Sequence, residues 1–249
     1  MSRVGRALRW SGRIIKILVF CIVFSIIGIL LWRVFSSSDP DSIATLTPNP
    51  DLAAAYEQSG RDLYLFRQEQ RSITSGENNY GYFSVTDAVF IPEANQIQVV
   101  VRYNNSTLRA LTEDKGLSAV PERSEELFDV TLSVATDLTP DVEADNLGNK
   151  EESVAFTRVH ASSVSKETKN LYNYRRLVFD LDTAGLSLSE LLDTKLLLAV
   201  YVDIYYLGDV NYGEPAYGTL CLYDYITAIE SDRLTKDDAR ALDAYLGRE

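Results

Sequence analysis

The sequence predicts a mainly β protein. One N-terminal transmembrane helix leads into an extracytoplasmic antiparallel β-sandwich, immunoglobulin-like, of about seven strands, with short peripheral helices and a C-terminal helix. Three observations predict this. Ile17 to Trp32 carries no charge and is almost wholly apolar. After Tyr82 the apolar period changes from helical to two. Turn residues separate these alternating runs, and no strand–helix alternation appears, which argues against a doubly wound parallel sheet.

Charge divides the chain in the same place. Residues 1–38 hold six cations and no Asp or Glu, so all 36 acidic residues follow. Of 24 basic residues 18 remain in 39–249, a net charge of −18 there. Such a domain is repelled by phosphate backbones and anionic lipid, which excludes nucleic acid as an expected partner. The excess acid keeps the domain soluble.

Residues 1–13 form a basic tail and 14–35 the transmembrane helix. A spanning helix needs about 20 residues, and flanking cations that snorkel shorten the requirement. Lys16 and Arg33 are placed to do so, and Trp32 suits the interface. Five cations precede the span, and after Arg33 none occurs until Arg61. The positive-inside rule therefore predicts a cytoplasmic N-terminus, with the chain beyond residue 36 outside the cell. The competing reading is a cleaved signal peptide, since Ser36 and Ser38 are small enough to precede a cut. The apolar run is longer than a usual signal core, however, and ends in Leu30-Leu31-Trp32. Cys21 lies inside the run, not at a lipoprotein cleavage site, and with Ser25 and Gly28 it places small side chains near one helix face.

Residues 36–50, with three prolines and four serines, read as a linker that lifts the domain off the bilayer. The domain proper is expected over 51–249. Asn49 is a cap for a first helix, with Pro50 in its first turn. Leu52, Tyr56, Leu63 and Phe66 recur at helical spacing, with Gly60 as a potential break. Strands are predicted over 83–91, 97–103, 128–134, 154–161, 177–181, 196–207 and 216–227. The run at 196–207 is apolar on both faces, so a central position is expected. Short helices are predicted at 121–127 and at 187–193, the latter capped by Ser187 with Glu190 three residues on. Thr235 and Asp238 have the spacing of a capping box, and Ala239, Leu242 and Leu246 form the apolar stripe of a final helix that packs on the sandwich.

Cys221 is the only cysteine beyond the span, so the outer domain has no internal disulfide. That usage, with the anchor and the acidity, is the manner of many Gram-positive envelope proteins. Asn104 to Thr107 contains overlapping glycosylation sequons, relevant only in a eukaryotic secretory route.

His160 is the single histidine, so no multi-histidine metal site is possible within one chain. No nucleophile elbow lies near it, and a surface or edge position is expected. Ser165 and Lys166 are adjacent in a strand-like run and point to opposite faces, which prevents their acting as a pair. In 141–152, Asp141, Glu143, Asp145 and Glu152 have the oxygen-ligand spacing of a calcium loop, but Asn146 replaces the glycine and strand-like segments flank the loop. A solvated hairpin loop is the plainer expectation. At 200–206 the valine face is the cleaner apolar one, placing Tyr201, Asp203 and Tyr205 on the other. The connection after it carries Asp209, Tyr212 and Glu214. With Tyr205 these are the candidate ligand-binding residues, and two carboxylates there are the elements of a glycan hydrolase. Most of the tyrosines are expected to be strand and core residues. Phosphate loops, CxxC pairs, HExxH and dinucleotide fingerprints are absent.

The expected function is thus a non-enzymatic binding or assembly module of the cell envelope, held by residues 14–35 in the lipid bilayer and meeting an envelope protein or glycan, without a required cofactor. An envelope hydrolase and a calcium-stabilised adhesion domain are the alternatives.

Overall fold

The structure, a computed structural model, describes residues 3–37, 40–72, 83–122, 127–135, 156–193, 200–206, 218–221 and 231–248. The chain divides into two compact units, Met1–Ser38 and Asp39–Glu249. The first is a single helix, α1 (Arg3–Ser37). Its window Ile15–Trp32 is long and apolar enough to cross a membrane, as a signal sequence also can be. At 1.5 Å per residue those 18 residues cover about 27 Å. Their large apolar side chains, Phe20 and Phe24 among them, are exposed.

The second unit is built on two antiparallel sheets. The first has six strands in the order β10-β1-β2-β3-β7-β6, the second four in the order β5-β4-β8-β9. In chain order these are β1 (Leu65–Ser72), β2 (Ser84–Ile91), β3 (Gln96–Asn104), β4 (Phe128–Ala135), β5 (Phe156–His160), β6 (Ser163–Lys169), β7 (Tyr172–Asp180), β8 (Val200–Tyr206), β9 (Gly218–Cys221) and β10 (Ser231–Asp232). All seven predicted strands are present in their described parts. The chain changes sheet between His160 and Ser163, where Ser162 N–H bonds the Val178 carbonyl at 2.8 Å. The turn joining β6 to β7 holds Asn170 at φ 56°, a left-handed conformation that asparagine tolerates.

One apolar cluster takes side chains from both sheets. Val85, Ala88, Phe90, Ile97, Val99, Val101, Leu177 and Phe179 come from the larger, and Val130, Leu132, Val134, Val200, Val202 and Ile204 from the smaller. The valine face of β8 is thus the core face, as its alternation predicts. Val85 and Ala88 share this face although they are three residues apart. A register shift between Val85 and Asp87 resolves the parity, for Val85 pairs with Val101 and Asp87 with Val100. The extra residue turns Asp87 to the opposite face, away from the inter-sheet core.

That opposite face of the six-stranded sheet is covered too. The helix α3 (Pro50–Ser59) and the C-terminal helix α6 (Lys236–Tyr245) lie over it. Leu52, Tyr56, Leu65, Val89, Ile91, Ala239 and Leu242 form a second buried cluster there. Asn49 caps α3 by accepting the Leu52 N–H at 3.0 Å. The box on α6 is complete, with Asp238 N–H to Thr235 Oγ1 at 3.1 Å and Thr235 N–H to Asp238 Oδ2 at 3.1 Å. The short helix α5 (Leu188–Asp193) is held by Glu190 N–H on Ser187 Oγ at 3.3 Å. A further helix, α4 (Asn105–Asp114), is capped by Asn104.

The helical run of Leu52, Tyr56, Leu63 and Phe66 breaks at Gly60, as its sequence allows, and two other expectations are corrected. Gly60 takes φ +59° and returns its N–H to the Tyr56 carbonyl, ending α3, and Phe66 lies in β1 within the inter-sheet core. The polar strands β1 and β6 and the two-residue β10 escape an alternation search, having few apolar side chains to alternate. The segment read as a free linker is fastened down from Pro40 onward. It contains the one-turn helix α2 (Asp41–Ala44), and Ile43 and Leu46 are both 1% exposed. Of the helix predicted at 121–127, residues 123–126 lie outside the described residues, and Pro121 and Glu122 are not helical.

Candidate functional site

The most elaborate polar arrangement is a buried chain of charges on the helix-covered face of the six-stranded sheet. Arg176, in β7, has no exposed surface. Its Nη2 donates to Asp87 Oδ2 at 3.0 Å, and its Nε donates to the Ile43 carbonyl at 2.7 Å. Arg67 of β1 lies 3.4 Å from the same Asp87 oxygen and donates to Asp238 Oδ2 at 2.5 Å. Asp238, also without exposed surface, accepts the Leu46 N–H on its other oxygen at 2.8 Å. Gln98 completes the set, accepting the Thr47 N–H at 2.9 Å and donating to the Thr47 carbonyl at 3.0 Å. Asn49 and Gln96 exchange side-chain amide bonds at 2.9 and 2.8 Å. Burial pulls Arg176 below its ordinary pKa, and the Asp87 carboxylate opposes that shift. The arrangement binds backbone and orders a segment. It presents no exposed nucleophile or general base.

Beside this chain lies an open groove of about 570 Å³. Ser42, Thr45, Thr47 and Pro48 form one wall and Asp237, Arg240, Ala241 and Ala244 of α6 the other, with Ser165 of β6 contributing. Asp237 and Arg240 pair at 2.9 Å. Its walls combine hydroxyls and one ion pair with the apolar surface of Leu46, Pro48 and the two alanines.

The other sheet has polar residues on its outer face. Thr131, Ser133, Tyr201 and Asp203 are buried there, and the Ser133 hydroxyl donates to the Asp203 carboxylate. His160 ends the edge strand β5, more than half exposed, with Nδ1 3.9 Å from Asp129 Oδ2. This is the edge position predicted for it. Between the sheets, Arg175 packs its guanidinium 3.8 Å from the Phe128 ring centre and 5.4 Å from that of Tyr103, and donates to the Tyr103 hydroxyl at 3.3 Å. Burial lowers its pKa, opposed by Tyr103.

Of the predicted ligand-binding residues, Tyr205 lies in β8, opposite Asp129 in register. Asp209, Tyr212 and Glu214 lie outside the described residues, between Tyr206 and Gly218. The predicted calcium ligands Asp141, Glu143, Asp145 and Glu152 also lie outside them, between Ala135 and Phe156. Among the described residues, no group of three or more His, Cys, Asp or Glu is placed to hold a metal ion. Sequence reasoning missed the Arg67–Asp87–Arg176–Asp238 chain. Its only trace is Arg175-Arg176 set directly before the alternating run Leu177–Leu181.

No family model matches the chain, and no curated protein or solved structure matches it either.

Proposed function

We propose that this chain is a membrane-anchored, non-enzymatic module of a Gram-positive cell envelope. In this reading α1 is retained as a single span, the N-terminus is cytoplasmic, and the β domain stands outside, where it binds or assembles with an envelope protein or glycan. The immunoglobulin-like sandwich belongs to the same reading, supported by two antiparallel sheets that share one core. The observation that carries it is the charge asymmetry about an uncharged apolar helix. Five cations lie before the helix, and no cation lies between Arg33 and Arg61. The open groove beside α6 supplies a surface for the partner.

The test is protease added to intact cells, read with antibodies to each end. The reading expects loss of the C-terminal epitope, protection of the N-terminal tail, and a membrane-bound parent of the full 27.9 kDa. A protected C-terminus refutes the orientation, and a parent shortened by about 38 residues refutes the retained anchor. Purified full-length chain, immobilised, should then retain either fractionated envelope protein or cell-wall glycan. Retention of neither refutes the binding role.

A further inference from the structure

We propose that α6 is a latch on the strap formed by residues 40–48, and that strap and latch open and close as one unit. On the anchored reading above, opening would lengthen the tether between span and domain.

The strap has no strand partner. Four of its backbone polar groups are bound by side chains from three distant elements. The Ile43 carbonyl accepts from Arg176 of β7, the Leu46 N–H donates to Asp238 of α6, and Thr47 is bound through both backbone groups by Gln98 of β3. Two side chains hold it down. Ile43 packs with Val100 and Tyr174, and Leu46 belongs to one buried cluster with Leu52, Ala239 and Leu242. Of these attachments, the Asp238 bond and the Leu46 contacts depend on α6 being in place.

Asp238 has a double role. Its Oδ2 serves the helix, taking Thr235 N–H and Thr235 Oγ1 and meeting Arg67, while Oδ1 takes the strap. If α6 leaves, the Leu46 N–H loses its acceptor and the Leu46 side chain loses Ala239 and Leu242. If the strap leaves, Oδ1 loses its donor and the apolar stripe of α6 loses cover. Two elements that each stabilise the other are coupled, and the coupling is reciprocal. The sheet beneath keeps its ladder in both cases, so the opening is local. Nine freed residues at 3.3–3.6 Å each can span at most about 30 Å.

Hydrogen exchange on the full-length chain in detergent micelles tests this. In Asp238→Ala, amides of 40–48 and of 235–246 should exchange faster by about tenfold or more, the scale of a lost hydrogen bond to a charged group. Amides of β3 and β7 should keep their protection, and Lys236→Ala, at an exposed position of α6 outside the groove, should change neither set. Leu46→Ala, a milder change made in the strap alone, should speed exchange in α6. The proposal is overturned if only one of the two segments responds in Asp238→Ala, or if β3 and β7 lose protection with them. It is also overturned if Leu46→Ala leaves α6 unchanged. Should Asp238→Ala not fold, the Leu46→Ala result decides. Exchange does not depend on which side of a membrane the domain occupies. A reversed topology would therefore remove the tether role and leave the coupling intact.

Discussion

Arg176 is a guanidinium with no exposed surface, standing on a sheet face between Val100 and Ser165 of the adjacent strands. A charge is tolerated there only if it is paired and its protons are used. Asp87 supplies the charge and Ile43 the carbonyl, and the shift at Val85/Asp87 is what turns Asp87 toward it. Arg176→Ala leaves Asp87 with Arg67 alone at 3.4 Å and takes the donor from the buried Ile43 carbonyl, so we expect a loss of about 2–3 kcal/mol in denaturant unfolding, where an exposed arginine would cost little. Tyr56 gives a prediction in alkali. It is buried and donates to Asp243 Oδ1 at 3.2 Å, and burial first, then that carboxylate, raises its pKa above the ordinary value near 10. A raised folded-state pKa means stability that is complete below pH 10 and lost as pH rises through the folded value. Alkaline unfolding curves should therefore fall less steeply above pH 10 in Tyr56→Phe than in the parent. Neither residue is legible in the sequence. Consecutive arginines ordinarily mark an exposed strand, and only the chain returning from residue 43 makes a burial site of one of them.

At the scale of elements, caps decide boundaries that periodicity misplaces. Asn49 both caps α3 and shares a reciprocal amide pair with Gln96, which is buried. Asn49→Ala should cost about 2 kcal/mol, a cap of about 1 plus an amide left unsatisfied, read as a lowered denaturant midpoint at unchanged slope. The cap, the Ser187 start and the Thr235–Asp238 box are legible because they are local chemistry. The end of α3 is less so, since Leu63 and Phe66 continue the helical spacing past Gly60 although they pack in different clusters. Segment 40–50 shows the same limit. Its serines and prolines describe a linker, and what docks it lies far away in Gln98, Arg176 and Asp238.

For the molecule as a whole, the β class and the apolar helix are legible because both rest on periodicity and length. The pairing of strands is not, because sheet order depends on contacts far apart in sequence, as in β10 beside β1. The tyrosine-rich stretch stands out in the sequence because its residues are contiguous, and its β8 and β9 show strand pairing, while the chain Arg67–Asp87–Arg176–Asp238 is spread over four elements.

The outermost strand of the larger sheet, β6, has a further consequence. It pairs with β7 along all seven residues without a bulge or a proline, and it has no strand on its other side among the described residues. An unbroken rim of that kind is a template for indiscriminate stacking, and lysines are a common guard against it. Lys166 and Lys169 occupy that rim, next to the exposed Val164. Replacing both with valine should make the chain in detergent micelles aggregate, sediment and bind thioflavin, with its melting point little changed. What keeps neighbouring copies of the molecule apart would then be two ammonium groups on seven residues.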